Sequence, residues 1–433
     1  MKEQRITWRN LNRTWVVFAM LAPTVVGVAI FSYTPAIEAV RHSFYEWDGR
    51  FLENFNGLDN FRRLLGDLGL WGPLLLYGFF AGLASLLSRP RLRRACRAVA
   101  LVALAAFALA AGGDLVAVWH DADAVQTTPL YTAAGLLSVA ALCALGAVRG
   151  RVGRGAAFMR FLALALPFVA GLTYIISVRR LGDWLLWKSF SLIFVLVAAN
   201  MLKMWPSIFV AVCIHRLRSQ RWQYVYRVLF VIPLIIPQMV ALLIWKFFYD
   251  PNVGPLNKFL TATHLDSVLI WLDKWVWHLG VFTEPFRPAW LADPELIVPA
   301  LIFWGFPWVG VVGVLIYLAG LQNIGKELYE AAELDGVGSW GKFWRIELPL
   351  IMTQVRLNLV LLIIGTFQAY GFQLVLLGPE GGPRNVGLTP GLYMYFQGFI
   401  EQRYGYACAI GLLLFCIILV LTIVNQKYVR VEK

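Results

Sequence analysis

The chain has 433 residues, of which 59% are hydrophobic and only 15% are charged, and its mean hydropathy is +0.66. This composition excludes one or two ordinary soluble domains and predicts an all-α, polytopic membrane helix bundle. The 38 Lys and Arg residues against 25 Asp and Glu give a formal net charge of +13. The basic residues cluster in short segments between apolar runs, as membrane topology requires, and this argues against nucleic-acid binding.

The cysteines and histidines form no recognisable disulfide, metal-binding or catalytic motif. The five cysteines are scattered, mostly in or beside apolar runs and without a C-x-x-C pair, so they indicate neither a disulfide framework nor a metal site. The five histidines lie apart and form no H-E-x-x-H motif, which leaves a metalloprotease without a candidate centre. The sequence therefore predicts no catalytic residue and no metal ligand.

One apparent nucleotide motif is discounted. Residues 320–326 fit G-x-x-x-x-G-K, but Glu327 stands where a phosphate-binding loop needs Ser or Thr, and the motif follows an apolar run instead of a strand. We expect no ATPase site and no cofactor in this chain.

In chain order, the first apolar run extends from Trp15 to about Tyr33 behind a basic N-terminus. It lacks a convincing small-residue cleavage site, so we interpret it as an uncleaved first span. Further runs are found at about 71–88, 98–119, 130–148, 158–178, 189–214, 226–248, 296–321, 350–377 and 405–426. Each is close to the roughly 20 residues that a helix needs to cross the hydrocarbon core. The sequence thus predicts about ten transmembrane helices.

The loop charges agree with that count. With the N-terminus inside, the segments 89–97, 149–157 and 215–225 and the C-terminal tail are cytoplasmic and basic, whereas 120–129 is external and carries Asp without Lys or Arg. Arg62-Arg63 and Arg179-Arg180 are the main exceptions. We expect a multi-pass protein with both termini in the cytoplasm.

The segment Glu327–Pro349 is a polar interruption between two apolar runs, and the topology places it in the cytoplasm. Its first half has helix-forming side chains, and the pair Asp335-Gly336 predicts a turn in which Gly takes a positive φ. A second helix follows, with Ser339 as the expected N-cap and Pro349 at the entry to the next span.

This segment resembles the cytoplasmic EAA loop of the permease subunits of bacterial ABC importers. The motif consists of Glu330-Ala331-Ala332, Asp335-Gly336 and Ile346-Glu347-Leu348-Pro349. The resemblance implies that the loop is a coupling helix that docks into a cleft of a separate ATPase, with the small pair Ala331-Ala332 leaving a flat surface. The implied coupling residues are Glu330, Ala331, Ala332, Asp335, Gly336 and Pro349.

The resemblance to these permeases covers residues 15–67 and again about 183–433. It includes Phe44/Trp47-Asp48, Gly57–Phe61, Arg227–Pro233, Gly378–Pro383 and Arg403–Ala407. The Ala-, Leu- and Arg-rich stretch between them is interpreted as four inserted, lipid-facing spans. The expected organisation is an N-terminal span with an external segment (1–70), inserted helices (71–178) and the permease core (179–433).

The resemblance implies a permease subunit of a binding-protein-dependent importer in the bacterial inner membrane, of the type that imports sugars, oligosaccharides and related polyols. The implied partners are an ATPase dimer that uses ATP and Mg, a second permease that is either distinct or a copy, and an extracytoplasmic solute-binding protein. The alternative is a self-contained secondary transporter or channel. That class usually places paired ionisable groups at mid-membrane, and only Lys203 is a clear candidate.

Candidate substrate contacts lie in the run after the EAA loop. On a continuous helix, Thr366, Tyr370 and Gln373 fall at about 0°, 40° and −20° and form a polar and aromatic stripe suited to a sugar. The alternative is that they bond neighbouring helices. Related permeases often have an acidic residue where this chain has Gly371, so their contacts cannot be transferred. Lys203 either meets an anionic substrate group or serves helix packing.

Overall fold

The computed structural model describes residues 8–50, 53–86, 90–118, 137, 154–177 and 182–428. These residues are mainly helical, which confirms the all-α prediction, with one two-stranded hairpin as the exception. They fall into two compact units, Met1–Asn60 with Met394–Cys416, and Phe61–Tyr393 with Ile417–Lys433.

The elements follow in chain order. They are α1 (Trp8–Val28), α2 (Thr34–His42), β1 (Tyr45–Trp47), β2 (Glu53–Phe55), α3 (Asp59–Leu65), α4 (Leu68–Leu86), α5 (Pro90–Val118), α6 (Arg154–Ser177), α7 (Trp184–Leu202), α8 (Met204–His215), α9 (Gln220–Val231), α10 (Gln238–Phe248), α11 (Pro255–Ala262), α12 (Leu265–Leu272), α13 (Pro294–Phe303), α14 (Val311–Gln322), α15 (Lys326–Leu334), α16 (Ser339–Lys342), α17 (Leu348–Leu350), α18 (Met352–Gln368), α19 (Gly371–Leu377), α20 (Pro390–Tyr395) and α21 (Tyr404–Tyr428). Single π-helical turns at Ala29–Tyr33 and Phe343–Glu347 join α1 to α2 and α16 to α17.

The first unit is built around the hairpin. Strands β1 and β2 pair antiparallel with Tyr45 opposite Phe55. The buried amide of Asn60 donates to the carbonyls of Ser43 and Tyr45, both at 2.9 Å. A Cβ on Gly405 would come within 2.0 Å of the Tyr45 carbonyl oxygen, so only glycine allows this approach.

Nine of the ten predicted spans fall at least partly on described helices, and the tenth, at 130–148, lies almost entirely outside the described residues. By length and composition, four described helices are sufficient to cross a membrane, and three bent helix pairs add to them. Shorter apolar helices account for the runs near residues 71, 166 and 294. The prediction of a polytopic bundle is confirmed, and the full count stays a prediction.

Three predicted spans are broken, which corrects the expectation of continuous helices. The run 226–248 bends by 87° between Ile235 and Gln238, where Pro237 removes a backbone donor. The run 296–321 is non-helical from Trp304 to Gly310, a stretch that contains Gly305 at φ +78° and Pro307. The run 350–377 stops at Gln368 and restarts at Gly371.

The last break depends on tertiary contacts. The carbonyl of Ala369, released from the helix, accepts a hydrogen bond from the Thr389 hydroxyl at 3.0 Å. A Cβ on Gly391 would lie 3.0 Å from the same oxygen, so glycine permits the close approach. A freed carbonyl is tolerated inside a membrane protein where a neighbouring group satisfies it.

Helices α8 and α14 share an apolar cluster with the segment after α15. Its fully buried members include Ala211, Tyr317, Leu321 and Ile351, and Phe343 and Leu348 complete it from the segment 339–351. This cluster fixes the polar loop on the end of a helix pair.

Candidate functional site

The predicted turn of the EAA segment is present. Helix α15 ends at Leu334, and Gly336 follows with φ +68°. The Gly336 N–H donates to Glu333 O at 3.1 Å and the Val337 N–H to Ala332 O at 2.9 Å. These two bonds are those of a Schellman motif, in which a left-handed residue, usually glycine, closes a helix. A Cβ on Gly336 would meet nothing within 4 Å, so its requirement is for the backbone angle and not for space.

The two alanines of the motif face different ways, one exposed and one buried, which corrects the expected flat surface. Ala331 is exposed, whereas Ala332 is buried. The reason is that neighbours on a helix lie about 100° apart, and only one of them can point outward. Leu334, at the helix end, is 90% exposed. The outward surface of α15 thus combines the carboxylate of Glu330, the small Ala331 and an uncovered leucine.

The second helical segment begins one residue earlier than expected. Gly338 occupies the N-cap position and Ser339 is the first helical residue, with no side-chain cap. A glycine at this position leaves the backbone donors without a side-chain acceptor, a small difference at a helix end. Pro349 lies in α17, two residues before Ile351, where the chain bends by 65° into α18.

An ion pair links the two halves of the loop. Lys342 Nζ lies 2.8 Å from Glu333 Oε1. The hydrogen bond from Lys342 and its positive charge lower the pKa of Glu333. The Glu333 side chain is 69% exposed, so the pair orients the helices and contributes little to stability.

A second pair is buried. Arg216, directly after α8, donates from Nε and Nη2 to the two carboxylate oxygens of Glu347 at 2.9 and 2.7 Å. Its Nη2 also donates to Ser339 O at 2.9 Å. Glu347 is 0% exposed, and the Arg216 side chain is 33% exposed. The hydrogen bond to Glu347 is the main cause that raises the pKa of Arg216. Bidentate arginine–carboxylate pairs fix both distance and orientation.

Tyr329 joins the buried pair to α15. Its hydroxyl lies 3.4 Å from Glu347 Oε1 and 3.3 Å from His215 Nε2. Both halves of the loop therefore contact the end of α8 through polar groups. The sequence argument missed Glu347 and Arg216. The available signal was a carboxylate inside the otherwise apolar I-E-L-P stretch and an arginine at the cytoplasmic end of a span.

The other end of α8 contacts the break at residues 304–310. The Ser207 hydroxyl accepts from the Gly310 N–H at 2.8 Å and donates to Trp308 O at 3.4 Å. Lys203, in the joint between α7 and α8, donates to Trp304 O at 3.4 Å. Lys203 thus donates to a carbonyl that the helix break leaves without a helical partner. This contact agrees with the interpretation of Lys203 as a helix-packing residue.

The predicted stripe of Thr366, Tyr370 and Gln373 does not lie on one helix, so its angular argument was wrong. Thr366 lies in the last turn of α18, where it donates to Leu362 O and accepts from Asn200 at 3.1 Å. Tyr370 precedes α19 with φ −135° and is 44% exposed. The cause is the break at Ala369, which ends the 100° periodicity between Thr366 and the other two residues.

Polar and aromatic groups nevertheless gather near the breaks. Gln373 is 2% exposed, and its Oε1 has no partner among the described residues. The rings of Trp304 and Phe372 lie 4.4 Å apart, and the indole N–H of Trp304 is likewise without a partner in the described part of the chain. Orphaned buried polar atoms are uncommon and suggest a place where a ligand or water binds.

Comparison with known proteins assigns the C-terminal half of the chain to a family. Residues 206–430, just over half of the chain, match the family described as the inner membrane component of binding-protein-dependent transport systems. The chain is 33% identical over 206 residues to the diacetylchitobiose uptake system permease protein NgcF of Streptomyces coelicolor, with 47% of this chain and 52% of the relative covered. It is 30% identical over 261 residues to the maltose/maltodextrin transport system permease protein MalF of Escherichia coli K12, with 58% and 45% covered. The matched region thus spans about half the length of these relatives.

Solved structures agree at the level of fold. A crystal structure of a bacterial ABC transporter involved in the import of the acidic polysaccharide alginate matches with a TM-score of 0.56 at 16% identity, covering 98% of both chains. A bacterial alginate ABC transporter in complex with a pentasaccharide-bound periplasmic protein matches with a TM-score of 0.52. Since the family match includes the EAA segment and the helices that carry it, the chain belongs to the family of inner membrane components of binding-protein-dependent transport systems.

Proposed function

We propose that this chain is the transmembrane permease subunit of an ATP-binding-cassette importer, coupled to a separate ATPase through the EAA loop at 327–349. The observation that carries the proposal is the loop itself. It lies in the family-matched region, its turn is closed by Gly336, and its outward side exposes Ala331 and Leu334. An exposed leucine beside a small residue suits a cleft on another protein.

The chain needs partners for this activity. The proposed partners are an ATPase dimer that binds ATP and Mg, a second permease subunit, and an extracytoplasmic solute-binding protein. The family description names a binding-protein-dependent system, and one similar structure is a complex with a periplasmic protein. A secondary transporter would not require the EAA loop, so it is the weaker candidate.

The proposed substrate is a sugar or oligosaccharide. The support is that NgcF is named for diacetylchitobiose and MalF for maltose and maltodextrin. In this chain Tyr370, Gln373 and Trp304 combine an aromatic surface with an amide oxygen that has no partner among the described residues, as sugar recognition requires. Thr366 bonds Asn200 of a neighbouring helix, and Lys203 bonds the Trp304 carbonyl. In the proposal these two residues therefore stabilise the region and do not contact the sugar.

The proposed location is the bacterial inner membrane, with both termini in the cytoplasm. The support is the asymmetric distribution of Lys and Arg in the short loops. This orientation places the EAA loop on the side where ATP is available.

The test is reconstitution with the partner subunits. The chain is co-expressed with an ABC ATPase and a second permease from the same organism, purified, and placed in liposomes with the binding protein. ATP hydrolysis and the uptake of maltose, diacetylchitobiose and an alginate oligosaccharide are measured. We expect a stable complex whose ATPase activity rises when the binding protein is added. Uptake by the chain alone, driven by an ion gradient without ATP, would show that it is a secondary transporter.

A further inference from the structure

Helices α8 and α14 form a pair that extends from the break at 304–310 to the EAA loop. Each has 12 residues, which corresponds to a length of about 18 Å. Their facing side chains, among them Ile208, Ala211, Val314 and Tyr317, belong to one buried cluster. Packed interfaces of this kind shift as units and do not deform continuously.

The two helices are connected at the end that lies at the break at 304–310. Helix α14 begins at Val311, immediately after the break, and α8 reaches the break through Ser207. Ser207 is 4% exposed and bonds both Gly310 N–H and Trp308 O. Displacing the pair therefore displaces the broken segment.

The two helices also hold the loop at the other end, where α14 continues into its first half and α8 contacts both halves through polar groups. Helix α15 follows α14 after three residues, so the first half of the loop is attached covalently. The second half is attached to α8 by the bonds from Arg216 to Ser339 and Glu347. Without Arg216, the polar attachment between α8 and the second half would be lost.

We propose that α8 and α14 act as one rod that transmits the position of the EAA loop to the broken segment at 304–310, with Arg216, Glu347 and Ser207 as positioning residues. The proposal rests on the proposed importer function and deepens it. It gives a role to the carboxylate of Glu347, which lies at a fully buried position of the loop. Burying a charge is costly unless a well-oriented partner is present, and a bidentate arginine supplies both attraction and a fixed angle.

The experiment uses the assembled complex and a reporter on the broken segment. Phe306 is 53% exposed on the protein surface, so Phe306→Cys in a background without the native cysteines presents a thiol that a water-soluble maleimide labels when the broken segment faces water. The labelling rate is compared in the absence of nucleotide and with ATP and vanadate. We expect at least a threefold change between the two conditions in the parent complex.

Two variants interrupt the rod at opposite ends. Glu347→Gln keeps the side-chain volume but removes the charge that orients Arg216, and Ser207→Ala removes the bonds to the break. Each is expected to bring the ATP-dependent labelling change close to onefold while ATP hydrolysis continues. Because both variants interrupt the same connection, the double variant should be no worse than either single one.

Matched controls come from exposed positions. Glu53→Gln removes a carboxylate that pairs with Arg41 at 2.9 Å outside the loop, and Ser191→Ala removes an exposed serine whose hydroxyl, among the described residues, bonds its own helix at Lys188. Both should keep the full labelling change. If Glu347→Gln fails to assemble, the exchanged pair Arg216→Glu with Glu347→Arg tests the same contact, and restored assembly with a restored labelling change supports it.

The outcomes separate the two levels of the proposal. If the parent complex shows no ATPase activity stimulated by the binding protein, the importer function is wrong. If the parent is stimulated and the labelling change is the same in Glu347→Gln, Ser207→Ala and both controls, the importer function stands and the rod is refuted. If each single variant loses only part of the labelling change, additive losses in the double variant would also refute a single shared connection.

Discussion

The turn in the EAA loop was predicted correctly from the sequence, whereas the polar stripe predicted in the following run was not. In the loop, the turn at Asp335-Gly336 lies where the sequence places it, with Gly336 at φ +68°. In the following run, the stripe of Thr366, Tyr370 and Gln373 is divided by a helix break at Ala369. The first prediction rested on local backbone chemistry and the second on periodicity carried across several turns. Local chemistry is the safer guide in this molecule.

The largest expected effect concerns the buried pair. Glu347→Ala leaves Arg216 without its carboxylate, and breaking a buried ion pair costs about 3–5 kcal/mol. Because the Arg216 side chain is 33% exposed, we expect a value near the lower limit. The measurement is the thermal unfolding midpoint of the purified complex, with Glu53→Ala as a control expected to change stability by about 0–1 kcal/mol. Equal shifts in the two variants would show that the pair contributes no more than a surface contact.

The second effect tests the turn. In Gly336→Val a β-branched residue must adopt a left-handed conformation, at a cost of roughly 1–2 kcal/mol. We expect normal membrane insertion but loss of the ATPase stimulation by the binding protein. Gly338→Val is the matched control, because Gly338 has φ −67° and open space around it. Transport at the parent rate in Gly336→Val would remove the coupling role of this turn.

The third effect tests the proposed substrate contacts in the run after the EAA loop. Tyr370→Ala and Gln373→Ala are expected to reduce uptake roughly tenfold, the equivalent of one lost hydrogen bond of about 1.4 kcal/mol. ATPase activity without the binding protein and assembly should be retained. Thr366→Val serves for comparison, since its bonds to Leu362 and Asn200 predict a loss of stability and not of substrate affinity. Unchanged uptake in both Ala variants would place the sugar elsewhere.

The smallest effect is expected at Lys203. Its Nζ donates to Trp304 O over 3.4 Å, a long hydrogen bond that contributes little. Lys203→Met keeps most of the side-chain volume, so we expect uptake within about twofold of the parent, as for one weak bond. A loss of more than tenfold, restricted to anionic substrates, would instead favour direct contact with the substrate.

The predictable parts of the molecule are those that depend on residues close in sequence. Composition predicted the helical membrane fold, and the Asp-Gly pair predicted the turn. The break at Ala369 was not predictable, because it depends on the Thr389 hydroxyl and on the lack of a side chain at Gly391, about 20 residues away. The break at 304–310 was more accessible, since Gly305 and Pro307 lie within it.

The buried ion pair was not predictable for a different reason. Arg216 and Glu347 are 131 residues apart, and neither segment by itself indicates the other as its partner. An arginine at the inner end of a span satisfies the positive-inside rule without any partner. Only the packing of α8 against the segment 339–351 shows that its charge is directed at a carboxylate.

The central claim is that the outward side of α15 docks onto an ATPase, and paired cysteine variants test it directly. Ala331→Cys places a thiol on the exposed side of the helix, and Ala332→Cys places one on the buried side, one residue away. In a background without the native cysteines of the chain, the complex is labelled with a maleimide that carries a photoreactive benzophenone and is irradiated, and adducts are identified by mass spectrometry. We predict an adduct between the chain and the ATPase for Ala331→Cys and none for Ala332→Cys. Absence of an ATPase adduct from Ala331→Cys in an assembled, active complex would contradict the account.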